Sequence, residues 1–536
     1  MKSLYPQKVY AYLCFLIPCC LVHFTVFATE NRLDYMGSDQ TYDKISGAFV
    51  SPHIPWARPL AGGKLDTIFI VPNSDTREVV ELAQRLDLNY KVIMTAKYDS
   101  FLDTEHAGRH AVPQYSKLVL TLAKERLHPA INYDLIFIGK LAWKALPDFV
   151  QASILERVKN GAGLIYIESS GVNESIEKSL STSLVPGITS KIYAKIPIDI
   201  LPLIPVENAK EAIDACKKNT GGNYRDLKEG HKGGLWNKGK APLTCKAFSY
   251  GKGKIVIIDY YEGKRTPQMG NSITPSNLTN NMLQYDLYYA LISQFALWAS
   301  GREFPVIKLV DQSMRVFNRA ELDKKELPFD IIRKKDTVDN CKIYYEIRAF
   351  DGNVVKNISE IKNNKLAISL FPLPTGKYLV DVWLKDELGN VLDYAATAFS
   401  VNAENDVLSI RTDKDRYRKG ETVTGEIELQ KQLNTGESVK IYVKDAWMRE
   451  ILSQKLNGEG KKFKFSFPVK DPLSSIWDIY VTISDKAGAV AETSCYIGIP
   501  NYTIDNYLLS LFYGIDNTPL NQVEMLTWAR YGINCA

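Results

Sequence analysis

The pattern of hydrophobic and polar positions across residues 133–171 predicts a strand, a helix and a second strand in succession. The apolar run Leu135–Ile138 ends at Gly139, as expected for a strand buried on both faces of a sheet. A helical stripe of apolar residues follows and ends at Gly161, because glycine readily adopts the left-handed C-terminal conformation. Residues 163–167 form the second apolar run. Parallel strands joined by one helix need helices on both sheet faces, so this unit predicts an α/β domain.

Segments before residue 133 continue the same alternation of strands and helices. Apolar runs predict strands over Leu65–Val71 and Tyr90–Thr95, and helical spacing predicts helices over Thr76–Leu86 and Ser116–Leu127. Right-handed crossovers then give an open, doubly wound sheet of the flavodoxin-like type.

Two further elements close this domain near residue 302. Gly251–Lys254 separates two apolar runs and predicts a β-hairpin turn, since no helix N-terminus follows that could hold a phosphate. Residues 281–301 predict a helix with one apolar face, which is formed by Leu283, Leu287, Ala290, Leu291, Phe295 and Trp298.

Strand-like alternation dominates residues 304–500, with turn residues at regular intervals, as is typical of β-sandwiches. The stretch 378–391 matches the stretch 477–490 in pattern, because each has an alternating strand, an Asp-x-x-Gly turn and a returning strand. The two copies lie about one immunoglobulin-like domain apart. Two tandem sandwiches are therefore predicted, joined by a linker at residues 402–406.

Paired motifs in the first domain resemble a known family. The motif YDLIFIG leads through a helix to VKNGAGLIYI, and YGKGKIVIIDY leads to a final helix that ends in ALWASGRE. Both pairs resemble the class I glutamine-amidotransferase-like domain, in the non-amidotransferase branch that is found beside sugar-processing modules. The resemblance covers about residues 64–302 and implies a GATase-like α/β fold.

The turn after residues 163–167 bears on activity. In active members of the family a cysteine nucleophile occupies this turn, which here contains Glu168 and Ser169 followed by Ser170 and Gly171. Amidotransfer is therefore not expected. A serine nucleophile at Ser169 would need a neighbouring base, and His231 is the histidine that comes after it in the sequence. The alternative is a turn that lines a ligand pocket.

The carboxyl edge of the predicted sheet is the place to look for a ligand, because open α/β sheets bind ligands there. The candidate pocket residues at this edge are Asn73, Gly139, Glu168 and Ser169. Carbohydrate is the expected partner. His106 and His110 have the spacing of metal ligands on a helix, but their surroundings have the composition of a loop, so neither a metal nor a cofactor is expected.

The second predicted sandwich has its own resemblance. Residues 416–423, RYRKGETV, are similar to the opening of macroglobulin-type extracellular sandwich domains. This similarity implies an Ig-like fold. Trp447 and Trp477 in this domain are either core residues or aromatic side chains that stack on a sugar ring.

Residues 501–536 resemble the opening β-α-β of the (β/α)8 barrels of secreted glycoside hydrolases. A predicted helix over Pro519–Tyr531 leads through the turn YGIN to a strand that has only begun at Ala536. The resemblance implies hydrolysis by two carboxylates at strand ends that lie outside these residues. The catalytic residues are thus unknown, and the chain alone is expected to be an inactive fragment.

The N-terminus predicts export. Lys2 and Lys8 precede an apolar run over residues 11–27, and a cut after Ala28 fits a secretory signal peptide. A membrane anchor is the alternative, because the run is near the lower length limit for a span. We expect a secreted, periplasmic or cell-surface protein with no stable membrane span once the signal is removed.

Charge and cysteine content restrict the function classes further. A net charge of +5 over 536 residues gives no indication of nucleic-acid binding. The cysteines beyond the signal are too sparse for a disulfide framework, although Cys216 and Cys245 fall in one irregular region and could pair in an oxidising compartment. Oligomerisation is left open by the sequence.

The predicted layout is a signal peptide (1–28), a polar segment (29–63), the α/β domain (64–302), two sandwiches (303–402 and 403–500) and a truncated barrel start (501–536). The leading hypothesis is the accessory portion of a secreted glycoside-hydrolase-like protein. The alternatives are a non-enzymatic cell-surface protein that binds carbohydrate or another ligand, and a hydrolase active within residues 64–302.

Overall fold

A computed structural model describes residues 50–499, except for the gaps 73–75, 96–100, 103–112, 170–182, 207, 209, 212–213, 216–240, 261–271, 276–277, 279–281, 304–314, 322–328, 331–340, 351, 362–364, 367–372 and 459. The predicted signal peptide, the cut near Ala28, the histidine pair, His231 and the barrel-like segment 501–536 lie outside the described residues and stay predictions. In the described part of the chain β-sheet predominates.

The first unit is a mixed sheet of eight strands with helices against it. Its helices are α1 (Thr76–Arg85), α2 (Pro113–Arg126), α3 (Asp148–Asn160), α4 (Ile188–Tyr193) and α5 (Met282–Ala299), with a short 3-10 turn at Trp143–Ala145. Its strands are β1 (Leu65–Pro72), β2 (Leu88–Thr95), β3 (Leu135–Ile138), β4 (Gly163–Ser169), β5 (Ser183–Leu184), β6 (Leu203–Val206), β7 (Ala241–Tyr250) and β8 (Gly253–Tyr260).

The strand order of this sheet is β2-β1-β3-β4-β8-β7-β5, with β6 paired to β7. The pairs β1–β2, β1–β3 and β3–β4 are parallel, as the alternating pattern of strands and helices predicted, and the pair β4–β8 is parallel as well. The turn at Gly251 joins β7 and β8 as an antiparallel hairpin, which confirms that prediction. The helix after Pro147 and its end at Gly161 are confirmed as well.

Helix α5 differs from the prediction of a single apolar face. Nearly every side chain from Tyr285 to Ala299 is buried, including the polar residues Asp286, Ser293 and Gln294. The reason is that α5 lies between two sheets: it packs against β4 and β8 on one side and against a β-sheet of the following unit on the other. A helix covered on all sides has no solvent face to keep polar.

The next strands form a five-stranded sheet with the order β12-β11-β14-β15-β9 and a two-stranded sheet β10-β13. The strands are β9 (Arg315–Asn318), β10 (Phe329–Asp330), β11 (Lys342–Ala349), β12 (Val354–Ile361), β13 (Lys365–Leu366), β14 (Gly376–Lys385) and β15 (Val391–Asn402), with a 3-10 turn at Arg319–Glu321. Strand β15 is buried along both faces. Leu379 and Trp383 on β14 belong to the apolar core that contains α5, whereas Val380 and Val382 belong to a separate core.

The last described unit contains a three-stranded sheet, β16-β17-β20, and a four-stranded sheet, β19-β18-β21-β22. The strands are β16 (Val407–Thr412), β17 (Thr422–Leu429), β18 (Ser438–Asp445), β19 (Glu450–Leu456), β20 (Lys462–Pro468), β21 (Ile476–Asp485) and β22 (Gly488–Gly498). Both sheets contribute to one apolar core that contains Trp477. Trp477 is therefore a core residue, whereas Trp447 is exposed.

The described part of the predicted polar segment, residues 50–63, contains both exposed and buried residues. Trp56 has no exposed surface. Its ring lies 6.0 Å from the ring of Trp383 and 5.4 Å from that of Tyr394, so it joins the α/β unit to the five-stranded sheet. Burial of this indole explains why a segment of loop composition is ordered here.

No helix among the described residues is long and apolar enough to cross a membrane.

Candidate functional site

The carboxyl edge of the eight-stranded sheet is partly filled by the chain itself. Gly139, which follows β3, is buried, and a Cβ atom at this position would lie 2.8 Å from Cβ of Ser272. The amide of Lys140 donates a hydrogen bond to the carbonyl of Ser272 across 2.8 Å. Residues 272–274 therefore lie directly against the end of β3, at the topological switch point between β1 and β3.

The other predicted pocket residues differ in how far the structure describes them. Asn73 lies outside the described residues. Glu168 and Ser169 are the last residues of β4, where their backbones pair with Asp259 and Tyr260 of β8. The ends of β3 and β4 thus share one edge, as predicted, while nothing is described of the side chains of Glu168 and Ser169.

Glu78 in the first turn of α1 holds residues 272–274 in place. Its carboxylate accepts hydrogen bonds from the amides of Ile273 (2.6 Å) and Thr274 (3.0 Å) and from the hydroxyl of Ser272 (3.2 Å). The hydroxyl of Thr274 also donates to it. Burial raises the pKa of Glu78 above its ordinary value, although these hydrogen bonds act in the opposite direction. Both carboxylate oxygens accept hydrogen bonds from the protein itself, so Glu78 has a structural role and is a poor general base.

Two more side chains fasten the same segment. Lys140 is buried, donates from Nζ to the carbonyl of Thr274 across 3.2 Å and lies 5.4 Å from the ring centre of Tyr260. The hydroxyl of Tyr288 on α5 donates to the carbonyl of Ile273 across 2.7 Å. The described part of this edge is therefore a packed, hydrogen-bonded plug at Gly139.

A buried ionic cluster surrounds Asp286 on α5. Asp286 accepts from Nε of Arg85 on α1 at 2.7 Å, and its other oxygen lies 3.3 Å from Nη1 of Arg348 on β11. Arg85 also pairs with Glu81 at 2.7 Å, and Arg348 pairs with Asp381 on β14 at 2.5 Å and 3.1 Å. The cluster therefore runs from the α/β unit into the five-stranded sheet without interruption.

The electrostatics of the cluster favour charged arginines. Burial alone would lower the pKa of Arg85, but Asp286 and Glu81 reverse the effect and raise its pKa above the ordinary value. Burial likewise opposes the charge of Arg348, and Asp381 together with Asp286 raises its pKa. Removing one member would leave an uncompensated charge in the interior.

A second buried pair crosses the same interface. Nζ of Lys195, just after α4, lies 2.7 Å and 2.9 Å from the two carboxylate oxygens of Asp393 on β15. Gln294 on α5 donates to the carbonyl of Tyr394 at 2.9 Å. The α/β unit and the five-stranded sheet are thus joined by ionic contacts at two separate places.

These residues are not among those that the sequence pattern predicted. One indication was available: Asp286 stands between Tyr285 and Leu287 in a helix that is otherwise almost entirely apolar. A carboxylate on a buried helix needs a cationic partner. The identity of that partner, in an element far along the chain, is a property of the tertiary structure.

Cys245 is a free thiol in the structure. Burial raises its pKa, so the thiol stays protonated at neutral pH. Cys216 lies outside the described residues, and its pairing with Cys245 stays a prediction. The described residues contain no group of three or more His, Cys, Asp or Glu side chains that could hold a metal ion.

A cleft of about 670 Å³ lies at the amino edge of the sheet, between α2 and α3. Its lining includes Lys124, Asn132, Phe149 and Glu156. Arg157 also lines it but donates to the carbonyls of residues 127, 128 and 131, so this guanidinium braces the connection before β3. The lining of the cleft therefore contains the aromatic ring of Phe149 and side chains of both charges.

No family model and no curated protein matches this chain. Similar solved structures include the tetra-tandem repeat of a large adhesion protein (14% identity, 31% of this chain, 43% of that chain, TM-score 0.15). A second is the fibronectin(III)-like modules of Clostridium thermocellum CbhA (11% identity, 38% of this chain, 97% of that chain, TM-score 0.15). A third is β-glucuronidase from Ruminococcus gnavus with D-glucaro 1,5-lactone (14% identity, 34% of this chain, 34% of that chain, TM-score 0.14). These TM-scores are too low to establish a shared fold. This chain spans less than half of the length of the adhesion-protein and β-glucuronidase chains.

Proposed function

We propose that this chain is the non-catalytic N-terminal portion of a secreted protein that acts on carbohydrate. In this proposal the α/β unit and the five-stranded sheet form one rigid support for a catalytic barrel that begins near residue 501. The observation that carries the support role is the buried ionic cluster of Arg85, Asp286, Arg348 and Asp381 across the two units.

Three features agree with a support role. Helix α5 is buried between both sheets, so the two units cannot separate without exposing its apolar surface to water. Trp56 fills the same interface. The switch point at Gly139, where a small ligand would be expected in this type of sheet, is occupied by residues 272–274.

The carbohydrate part of the proposal rests on the resemblance of residues 501–536 to the start of a glycoside-hydrolase barrel. Its test compares the 536-residue chain with the product of the gene's reading frame beyond Ala536 on a panel of nitrophenyl glycosides. We expect turnover by the longer product alone. A stop codon at this point, or turnover by the 536-residue chain, would refute it.

The support role has its own test in the unfolding of the 536-residue chain. We expect the α/β unit and the five-stranded sheet to unfold in one calorimetric transition, because they share a core. The variant Arg348→Met should lower the temperature of that transition, since it leaves Asp286 and Asp381 with less compensation. Two separate transitions for these units in the unmodified chain would contradict the support role.

The cleft between α2 and α3 supports a second candidate function, the binding of a neutral saccharide by the α/β unit. Phe149 offers a half-exposed ring, while Lys124 and Glu156 balance each other in charge. Calorimetric titration with neutral oligosaccharides tests this candidate. We expect Phe149→Ala to abolish any heat of binding and Leu388→Ala, an exposed change on the β14–β15 turn, to leave it intact.

A further inference from the structure

The last described unit has two ends with different surfaces. At one end it contacts the preceding sheet: Nη1 of Arg319 lies 2.6 Å from a carboxylate oxygen of Asp485, and the amide of Thr375 donates to the carbonyl of Val490 at 2.6 Å. The opposite end carries the turn between β18 and β19 and the segment before β21. We call the residues Trp447, Met448, Leu473 and Ile476 at this end the apolar end patch.

The two segments that carry the apolar end patch are neighbours in the structure. The amide of Ala446 donates to the hydroxyl of Ser474 at 3.3 Å, which places the 446–448 turn beside the 473–476 segment. Exposure of the four side chains is 37% for Trp447, 56% for Met448, 66% for Leu473 and 42% for Ile476. Adjacent exposed side chains of this size indicate an interaction surface, whereas single exposed apolar residues do not.

The turn that presents Trp447 and Met448 is held rigidly. The buried carboxylate of Asp445 accepts from the amides of Trp447 (2.9 Å) and Arg449 (3.0 Å), and it pairs with Nε of Arg449 at 2.7 Å. The guanidinium of Arg449 in turn lies 5.5 Å from the ring centre of Trp447. A surface that is fixed before binding loses little conformational entropy on binding.

Met448 adds an independent observation. Its φ angle of 63° lies in the left-handed region, which a side chain such as methionine rarely adopts. Such a conformation is maintained by its surroundings at a free-energy cost, and residues of this kind cluster at binding and functional sites. Here the conformation displays the Met448 side chain to solvent beside Trp447.

The chain leaves the unit at the same end. Gly498 pairs with Ile476, and the amide of Ile499 donates to the carbonyl of Ser475 across 2.7 Å. The last described residue of the unit, Ile499, therefore lies beside the segment 473–476 of the apolar end patch. Among the residues that follow it in the sequence, Leu508–Tyr513 is an apolar run. Attachment at the patch gives this segment a high effective concentration there, which a separate partner would lack.

We propose that the apolar end patch is the docking surface for the segment 501–536 of the same chain. Leu473 and Ile476 receive the apolar run, and the rigid turn at Trp447 and Met448 sets the orientation of the residues after it. The inference rests on the proposed function in one respect, namely that residue 501 begins the next folded unit.

The test is limited proteolysis of the full 536-residue chain, with cleavage sites located by mass spectrometry. The test variants are Leu473→Ser and Trp447→Ser. The matched control is Leu408→Ser on β16, because Leu408 is exposed to 62%, close to the 66% of Leu473, and lies at the other end of the unit. We expect cleavage within residues 501–536 to become about tenfold faster in both test variants, the effect of losing roughly one buried apolar side chain, and to stay unchanged in the control.

Cleavage of Leu473→Ser at the rate of the unmodified chain would overturn the proposal, as would equal acceleration in Leu408→Ser. Protection that depends on protein concentration would also overturn it, since a second copy would then cover the patch. A failure of the glycoside or calorimetric tests leaves these cleavage rates unaffected, so it can be distinguished from a failure here.

Discussion

Asp286 and Arg348 are 62 positions apart in the chain and meet in the interior, with Oδ2 of the carboxylate 3.3 Å from Nη1 of the guanidinium. Asp286 belongs to the last helix of the α/β unit, and Arg348 belongs to strand β11 of the five-stranded sheet. The contact therefore joins two regions that the sequence pattern assigned to separate domains. Both groups are buried and have lost their hydration, and their mutual attraction offsets that loss. Separating them inside the protein would remove the attraction and leave the loss of hydration.

The first prediction concerns this contact. Asp286→Asn should lower the free energy of unfolding by about 3 kcal/mol, because two buried guanidinium groups lose their shared anion. The matched control is Glu360→Gln, which removes a carboxylate from an exposed pair with Lys342 and should cost at most about 1 kcal/mol. Urea unfolding measures both. A loss below about 1 kcal/mol in Asp286→Asn would show that Glu81 and Asp381 compensate fully.

The second prediction uses the pair of Lys195 and Asp393. Lys195→Met should destabilise the protein by about 3–5 kcal/mol, since it leaves the Asp393 carboxylate buried without a cation. The double variant Lys195→Met, Asp393→Leu should recover most of that loss, because an apolar pair needs no desolvation. Thermal unfolding of both single variants and the double variant gives the coupling. Additive losses would argue against a direct pair.

The third prediction tests the plug at the end of β3. Gly139→Ala should destabilise the α/β unit by about 1–3 kcal/mol, because the added methyl group would lie 2.8 Å from Cβ of Ser272. The companion change Ser272→Gly removes that atom and should restore part of the loss. If the double variant loses as much free energy of unfolding as the two single variants together, the two residues do not compete for the same space.

The fourth prediction is a pH dependence that arises at Glu78. Its pKa in the folded protein is raised above the ordinary value of 4.5 by burial. As the pH rises from 4.5 towards the folded pKa, the unfolded chain releases this proton before the folded one does, so the free energy of unfolding falls. Glu78→Gln should lack this decrease. Urea unfolding between pH 4 and pH 8 compares the two slopes, and equal slopes would mean that the pKa of Glu78 is the same in the folded and the unfolded protein.

The fifth prediction separates core from surface in the last unit. Trp477→Ala should cost about 3–5 kcal/mol, because Trp477 fills the core between the three-stranded and four-stranded sheets. Tyr496→Ala on the neighbouring strand β22 should stay within about 0.5 kcal/mol, since its side chain is exposed. Chemical unfolding distinguishes the two. A small effect of Trp477→Ala would contradict the assignment of this residue to the core.

Several elements were predictable because their determinants are local. The apolar run Leu135–Ile138 ended at Gly139 as expected, and the helix that follows Pro147 stopped at Gly161. The repeated Asp-x-x-Gly turns at Asp386 and Asp485 also formed, since each aspartate accepts hydrogen bonds from amides within four positions of itself. A nearby side chain that satisfies the backbone needs no information from the rest of the fold.

Other features depended on the elements that pack against a segment, which no local pattern specifies. The pattern predicted one apolar face for α5, yet the helix is buried all round because a second sheet covers its remaining surface. Trp56 lies in a segment of loop composition, and only the approach of Trp383 and Tyr394 makes it a core residue. The candidate pocket at Gly139 is a prediction from the strand ends alone. The segment 272–274, held there by Glu78, is brought to it by the tertiary structure.

The sequence by itself determined where strands, helices and turns occur, because periodicity and turn residues act over a few positions. Only the tertiary structure decided which of these elements share a core. A buried charge such as that of Asp286 is stable only beside an opposite charge. The tertiary structure places Arg348 beside it, and no local pattern in the sequence specifies that partner.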